Sequence, residues 1–131
     1  MRRTAVVIDD SRVIRIRLRT ELTNLGFQVV AEAERGDQAL ELYEKHRPAL
    51  VMLDIILPEM DGVTAATQLL QKHPEATVVM CSSLTARDKI LACRAAGVKY
   101  FILKPFTAES LATMVRRVFG LELAQPQLAE D

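Results

Sequence analysis

A doubly wound α/β domain, with five βα units and a five-stranded parallel sheet in the order 2-1-3-4-5, is the fold the sequence predicts. Three observations predict it. Short apolar or β-branched runs alternate with segments whose apolar residues recur at three- and four-residue spacing. The run at 50–53 is apolar without a break, as strands are when both faces of a parallel sheet are covered. The polar residues that interrupt this pattern, Asp9-Asp10, Asp54, Ser82-Ser83 and Lys104-Pro105, all fall where a strand ends. That rim is where open α/β sheets place their ligand sites.

The elements follow in order. Residues 4–8 form a β-rich run ending in Asp9-Asp10, and Ser11 offers a helix N-cap. Ile14, Leu18, Leu22 and Leu25 then make an apolar stripe that Gly26 stops. Residues 28–33 form the second strand, and Gly36-Asp37 leads a helix burying Ala39, Leu40 and Tyr43 until Arg47-Pro48 breaks it. The central strand ends at Asp54, Pro58 stops the loop from pairing onward, and Asp61-Gly62 opens a helix that begins with Val63. Val63, Ala66, Thr67 and Leu70 line one face of that helix, which ends near His73-Pro74. Residues 77–81 make the fourth strand, Ser82-Ser83 closes it, and a helix runs to Gly97. Residues 100–103 form the fifth strand before Lys104-Pro105. The last helix, from about Thr107 to Gly120, carries Leu111, Met114, Val115 and Val118 on one face, and residues 121–131 are a tail, a helix extension or the start of a linker.

Length and charge bound the function. A chain of 131 residues, half of them apolar, suits one domain with a real core, here residues 1–120. Seventeen basic residues balance seventeen acidic ones, so no overall field draws it to nucleic acid or to a membrane surface. Cys81 and Cys93 lack metal-ligand or redox spacing and read as reduced core residues. No signal peptide opens the chain and no apolar run is long enough to span a bilayer, so a cytoplasmic location is expected.

The strand order puts its reversal point between the first and third strands, where Asp9, Asp10 and Asp54 would meet. Carboxylates crowded in one crevice repel, which raises at least one pKa unless a cation is present. Mg2+ suits the cluster, since it takes oxygen ligands, keeps several waters and commonly bridges one or two carboxylates to phosphate oxygens. A carboxylate such as Asp54 can be the nucleophile in phosphoryl transfer, with the Lys104 ammonium and the Ser82 hydroxyl contacting further phosphoryl oxygens.

This constellation, Asp9, Asp10, Asp54, Ser82 and Lys104-Pro105 on successive βα units, closely resembles the receiver domain of two-component response regulators, in its single-domain, chemotaxis-regulator form with a flavodoxin-like sandwich. The resemblance covers nearly the whole chain. It implies that Asp54 accepts a phosphoryl group from a phosphohistidine on a sensor histidine kinase or a histidine phosphotransfer protein. It implies that Asp10, Asp54 and the backbone carbonyl of Ile56 hold Mg2+, or Mn2+ in its place, with Asp9 acting largely through water. Lys104 matches the phosphate-binding lysine, and Lys104-Pro105 would be a cis peptide. Ser82 matches the switch hydroxyl and Phe101 the switch aromatic, which together would reshape the surface of the fourth helix, fifth strand and fifth helix. That surface is the family's usual site for a downstream protein and for phosphorylation-dependent dimerisation. Such a chain performs one transfer per cycle, with self-phosphotransfer and self-dephosphorylation, and is not a turnover enzyme.

Ile56 and Leu84 are apolar where the family often has polar residues beside the route of an attacking water, which predicts a long-lived phosphoryl group. Arg12, Arg15 and Arg19 lie away from the apolar stripe of the first helix with Ile16 among them. They read either as the face on which the phosphodonor docks or as a solvated charged face with one stray isoleucine. No reading module accompanies them, which argues against nucleic acid. Asp61 reads as a cap, His46 and His73 as cations at helix ends, and Gly36 and Gly97 as turn or cap glycines. Three other readings stand beside the leading one. A Mg-dependent phosphohydrolase would share the Asp nucleophile, but no cap insertion is evident. A flavin-binding module would want a phosphate loop where Asp9-Asp10-Ser11-Arg12 stands. The chain could also be the amino-terminal receiver of a longer regulator, with Gln125-Pro126-Gln127 opening a linker.

Overall fold

A computed structural model describes residues 3–83 and 86–120. The strands are β1 (Thr4–Ile8), β2 (Gln28–Ala33), β3 (Leu50–Asp54), β4 (Val78–Ser82) and β5 (Tyr100–Leu103). The helices are α1 (Arg12–Asn24), α2 (Ala39–His46), α3 (Gly62–Lys72), α4 (Arg87–Ala95) and α5 (Ala108–Phe119), with a 3-10 turn at Gly36–Gln38 leading into α2. All strand pairs are parallel and the order is β2-β1-β3-β4-β5, as the sequence predicts.

Alternation along the central strands explains why their sequences are apolar at every position. On one face of the sheet Val6, Ile8, Val51, Leu53 and Met80 pack against Tyr43 of α2, Ala65, Ala66 and Leu69 of α3, and Cys93 of α4. On the other, Ala5, Val7, Leu50, Met52, Val79 and Cys81 pack against Leu18 and Leu22 of α1 and Leu111 and Val115 of α5. A residue turned either way meets a helix, so neither face selects polar side chains.

Local chemistry starts and stops the helices where expected. The Ser11 hydroxyl accepts from the Ile14 N–H at 3.3 Å, and the Asp61 carboxylate accepts from the Thr64 N–H at 2.9 Å. Thr107 and Ser110 exchange bonds in a capping box ahead of α5. Gly97, at a φ of +108°, occupies the left-handed region that glycine tolerates best.

Four expectations shift. The fourth strand runs one residue later and takes in Ser82, because its ladder with β5 continues through the Ser82–Leu103 pair. Helix α3 starts at Gly62 and not at Val63, and it buries Ala65, Ala66 and Leu69, while Val63, Thr67 and Leu70 are only half-buried. Small residues let this helix approach the sheet closely, so its inner face is the alanine side. His73 is not simply a solvated residue at a helix end: it is buried, with Nε2 2.9 Å from the Glu44 carboxylate. Residues 121–131, with Gln125, Pro126 and Gln127, lie outside the described residues, as does Leu84.

Candidate functional site

The carboxyl ends of β1, β3, β4 and β5 converge because neighbouring parallel strands finish in register: Ile8 pairs with Leu53, Asp54 with Cys81 and Ser82 with Leu103. The next residue along β1 is Asp9, and the next along β5 is Lys104. Side chains far apart in the chain thus share one crevice.

Carboxylate oxygens of Asp9, Asp10 and Asp54 all lie within 4.8 Å of one another. Asp9 and Asp54 are buried and Asp10 is exposed. The Lys104 ammonium sits between the two buried carboxylates, 2.8 Å from Asp9 Oδ2 and 3.1 Å from Asp54 Oδ2. One ammonium therefore faces three carboxylates, and the balance shows in the titration of Asp54. Burial pushes its pKa up, the neighbouring Asp9 charge adds to the rise, and Lys104 only partly offsets them. Burial works against the charge on Lys104 too, but its bonds to Asp9 and the attraction of Asp54 prevail, so its pKa is raised and it stays an ammonium.

The surplus of negative oxygen donors is what a hard divalent cation requires. Asp10 adds a second argument, since its carboxylate makes no hydrogen bond or ion pair among the described residues while lying beside two buried ones. The donor set therefore fits Mg2+. Ile56 has its side chain exposed, and its backbone N–H helps to hold the Asp54 carboxylate.

The remaining predicted residues take definite places. Ser82 is buried, and its hydroxyl donates to the Ser83 carbonyl at 2.9 Å, so contact with a group on Asp54 requires it to rotate. Phe101 is half-buried with the Arg94 guanidinium 5.6 Å from its ring centre. Lys104-Pro105 is a cis peptide. Cys81, beside Asp54 in the ladder, is no rival nucleophile, because burial pushes its thiol up to about 12.

The four first-helix candidates separate. Arg12 and Ile16 are exposed. Arg19 is exposed but its guanidinium is bound to the Glu32 carboxylate. Arg15 is not on the outer face, because a position four residues after Ser11 turns toward β2. It is 13% exposed, donates through Nη1 to the Asp9 carbonyl at 2.7 Å, and pairs with Glu32 and Glu34.

Two glycines, Gly36 and Gly62, do more than make a turn and open a helix. A Cβ on Gly36 would collide with the backbone carbonyl of Met60, and one on Gly62 with the backbone of Asp54 and Ile55. The Asp54 loop therefore folds back on its own strand and is buttressed by the turn ahead of α2. For Gly62 the signal was the Asp-Gly pair closing the loop. For Gly36 the sequence carries none, since the contact is long-range.

A family model described as the response regulator receiver domain matches residues 5–116. The chain belongs to that family. Aspartate phosphorylation is the general function of receiver domains, which bind Mg2+ at an acidic pocket and receive their phosphoryl groups from histidine kinases or phosphotransfer proteins. The chain is 38% identical over 115 residues to the chemotaxis protein CheY of Bacillus subtilis, covering 88% of this chain and 96% of that one. It is 34% identical over 109 residues to the transcriptional regulatory protein PdtaR of Mycobacterium tuberculosis, covering 83% of this chain but 53% of the relative. Among solved structures it resembles the CheX–CheY–BeF3–Mg2+ complex from Borrelia burgdorferi, with a TM-score of 0.84, 30% identity and 89% of each chain covered. Among the described residues of this receiver domain, no helix is long and apolar enough to cross a membrane.

Proposed function

We propose that this receiver domain, residues 1–120, accepts a phosphoryl group on Asp54 and passes the signal on through a protein contact. The observation that carries the reading is the convergence of the Asp54 carboxylate, on a fully buried strand, with Lys104 at 3.1 Å and with Asp9 and Asp10. Asp54 Oδ attacks phosphorus in line with the donor imidazole. The O–P bond forms as the P–N bond breaks and the electron pair returns to the ring nitrogen; with the donor ring's other nitrogen already protonated, the ring leaves as neutral imidazole. The ammonium of Lys104 stabilises charge on the transferred oxygens and exchanges Asp54 for phosphate as its partner. The Ser82 hydroxyl turns from the Ser83 carbonyl to donate to another oxygen. Asp9, Asp10, Asp54 and the Ile56 carbonyl would hold Mg2+, or Mn2+ in its place, and the bound cation would neutralise charge on the transferring group.

The same groups support self-phosphotransfer from a small acyl phosphate, since the site supplies its own nucleophile and charge neutralisation. The exposed Ile56 side chain, 53% accessible at the mouth of the site, offers no hydrogen bond to an incoming water, consistent with slow self-dephosphorylation. Phe101 and Ser82 link the site to α4, β5 and α5, the surface proposed to switch, bind a downstream target and dimerise on phosphorylation. Exposed Arg12 and Ile16 support α1 as the face for a histidine kinase or phosphotransfer protein, with Arg15 and Arg19 engaged elsewhere.

Intact mass after incubation with Mg2+ and acetyl phosphate tests the reading. One phosphoryl adduct is expected, absent from Asp54→Asn and absent when EDTA precedes the donor. A folded wild-type protein that never gains the adduct, or an adduct that persists in Asp54→Asn, would contradict it.

A further inference from the structure

Asp10 is the exposed member of the acidic cluster, and no side-chain partner holds its carboxylate among the described residues. Its direction therefore follows from the backbone of the loop between β1 and α1. That backbone is fastened at three points. The Asp9 N–H donates to the Ala33 carbonyl at 3.0 Å, the Ser11 N–H donates to Asp9 Oδ1 at 2.9 Å, and the Asp9 carbonyl accepts from Arg15 Nη1 at 2.7 Å. The third bond governs Asp10 most directly. The peptide unit joining Asp9 to Asp10 is planar, so holding its oxygen fixes the plane from which the Asp10 side chain departs.

Arg15 is well placed to hold that oxygen still. Its guanidinium also lies 3.3 Å from Glu32 Oε1 through Nε and 3.8 Å from Glu34 Oε2 through Nη2, and the side chain is 13% exposed. One rigid planar group thus ties α1 to the Asp9-Asp10 loop and to the end of β2. We infer that Arg15 is a positioning residue for the acidic cluster: by holding the Asp9 carbonyl it aims the Asp10 carboxylate and so sets the affinity of the cluster for a divalent cation. The inference rests on the reading of that cluster as the Mg2+ site.

The sign of the effect separates position from charge. A bare cation beside a cation site opposes binding, so an arginine acting through its charge alone would weaken Mg2+ binding and its removal would tighten it. Glu32 and Glu34 already neutralise this guanidinium, which leaves its geometry to act. Loss of Arg15 then weakens binding. Partners of this outer kind are worth about tenfold or more in metal affinity at characterised sites.

The experiment is a Mg2+ titration of the full chain followed by the amide resonances of Asp10 and Ser11, on wild type, Arg15→Ala, Arg15→Lys, Arg47→Ala and Asp10→Asn. Arg47 binds Glu75 and contacts His73, outside the acidic cluster, so its loss controls for removing an arginine network of similar size. The expected result is a dissociation constant raised about tenfold in Arg15→Ala. An intermediate value is expected in Arg15→Lys, whose single ammonium cannot span both the carbonyl and Glu32, and an unchanged one in Arg47→Ala. An Arg15→Ala constant equal to or tighter than wild type would overturn the inference, as would an equal loss in Arg47→Ala. If Arg15→Ala does not fold, Arg15→Lys decides, an unchanged constant there overturning it. Wild type that binds no Mg2+, or an Asp10→Asn variant that binds as wild type does, would overturn the reading of the site itself and this inference with it.

Discussion

Asp54 carries its charge where burial and the Asp9 carboxylate both disfavour it. Its pKa in the folded protein is therefore raised, the folded state binds the proton more tightly than the unfolded chain, and stability falls as pH rises through that range. Above that range the whole cost is present. Asp54→Asn keeps the shape and removes the charge, while Lys104 retains Asp9 at 2.8 Å. In metal-free buffer at neutral pH the variant should unfold at a higher urea concentration than wild type. The gain should vanish below the ordinary aspartate range, where wild type is protonated in both states. A loss of stability at neutral pH would mean that the attraction of Lys104 outweighs burial.

At the scale of elements, the site is built by the contact between two loops as much as by strand ends. Gly36 lies against the Met60 carbonyl with no room for a Cβ, and it is buried. Gly36→Ala should push the turn before α2 away from the Asp54 loop, cost about 1–3 kcal/mol in urea unfolding, and slow phosphoryl uptake from acetyl phosphate. Unchanged stability and uptake would show that the two loops separate freely. This contact also marks where reading the sequence stops. Strand ends were legible because each apolar run closes on a polar residue, and Asp9, Asp10, Asp54 and Lys104 each stand at such a break. The bond from Lys104 to Asp9 spans most of the chain, and only the strand order made it foreseeable. The inner face of α3 was legible in part: Ala66 is fully buried and Val63 and Leu70 pack at the edge of the core, while Ala65 and Leu69, which the apolar stripe left out, are buried completely. Arg15 was assigned outward because charge on a helix usually means solvent. Its partners, Glu32 and the Asp9 carbonyl, are visible only once β2 lies beside β1.

At the scale of the whole molecule, charge and hydropathy divide the work. The apolar strands and the two helical layers fix a rigid platform, and the residues that strands cannot bury comfortably collect at one rim. No net charge directs the molecule to a polyanion, and the proposed function assigns its selectivity to surfaces such as the exposed part of α1 and the face of α4, β5 and α5. The proposed signalling role depends on Asp54 being the acceptor among three neighbouring aspartates. Borohydride reduction of the phosphorylated protein converts an aspartyl phosphate to homoserine, and peptide mass spectrometry then locates it. Homoserine at position 54 alone, formed only when Mg2+ was present with the phosphodonor, is the predicted result. Homoserine at position 9 or 10, or a phosphoryl group found on another residue type, would contradict it.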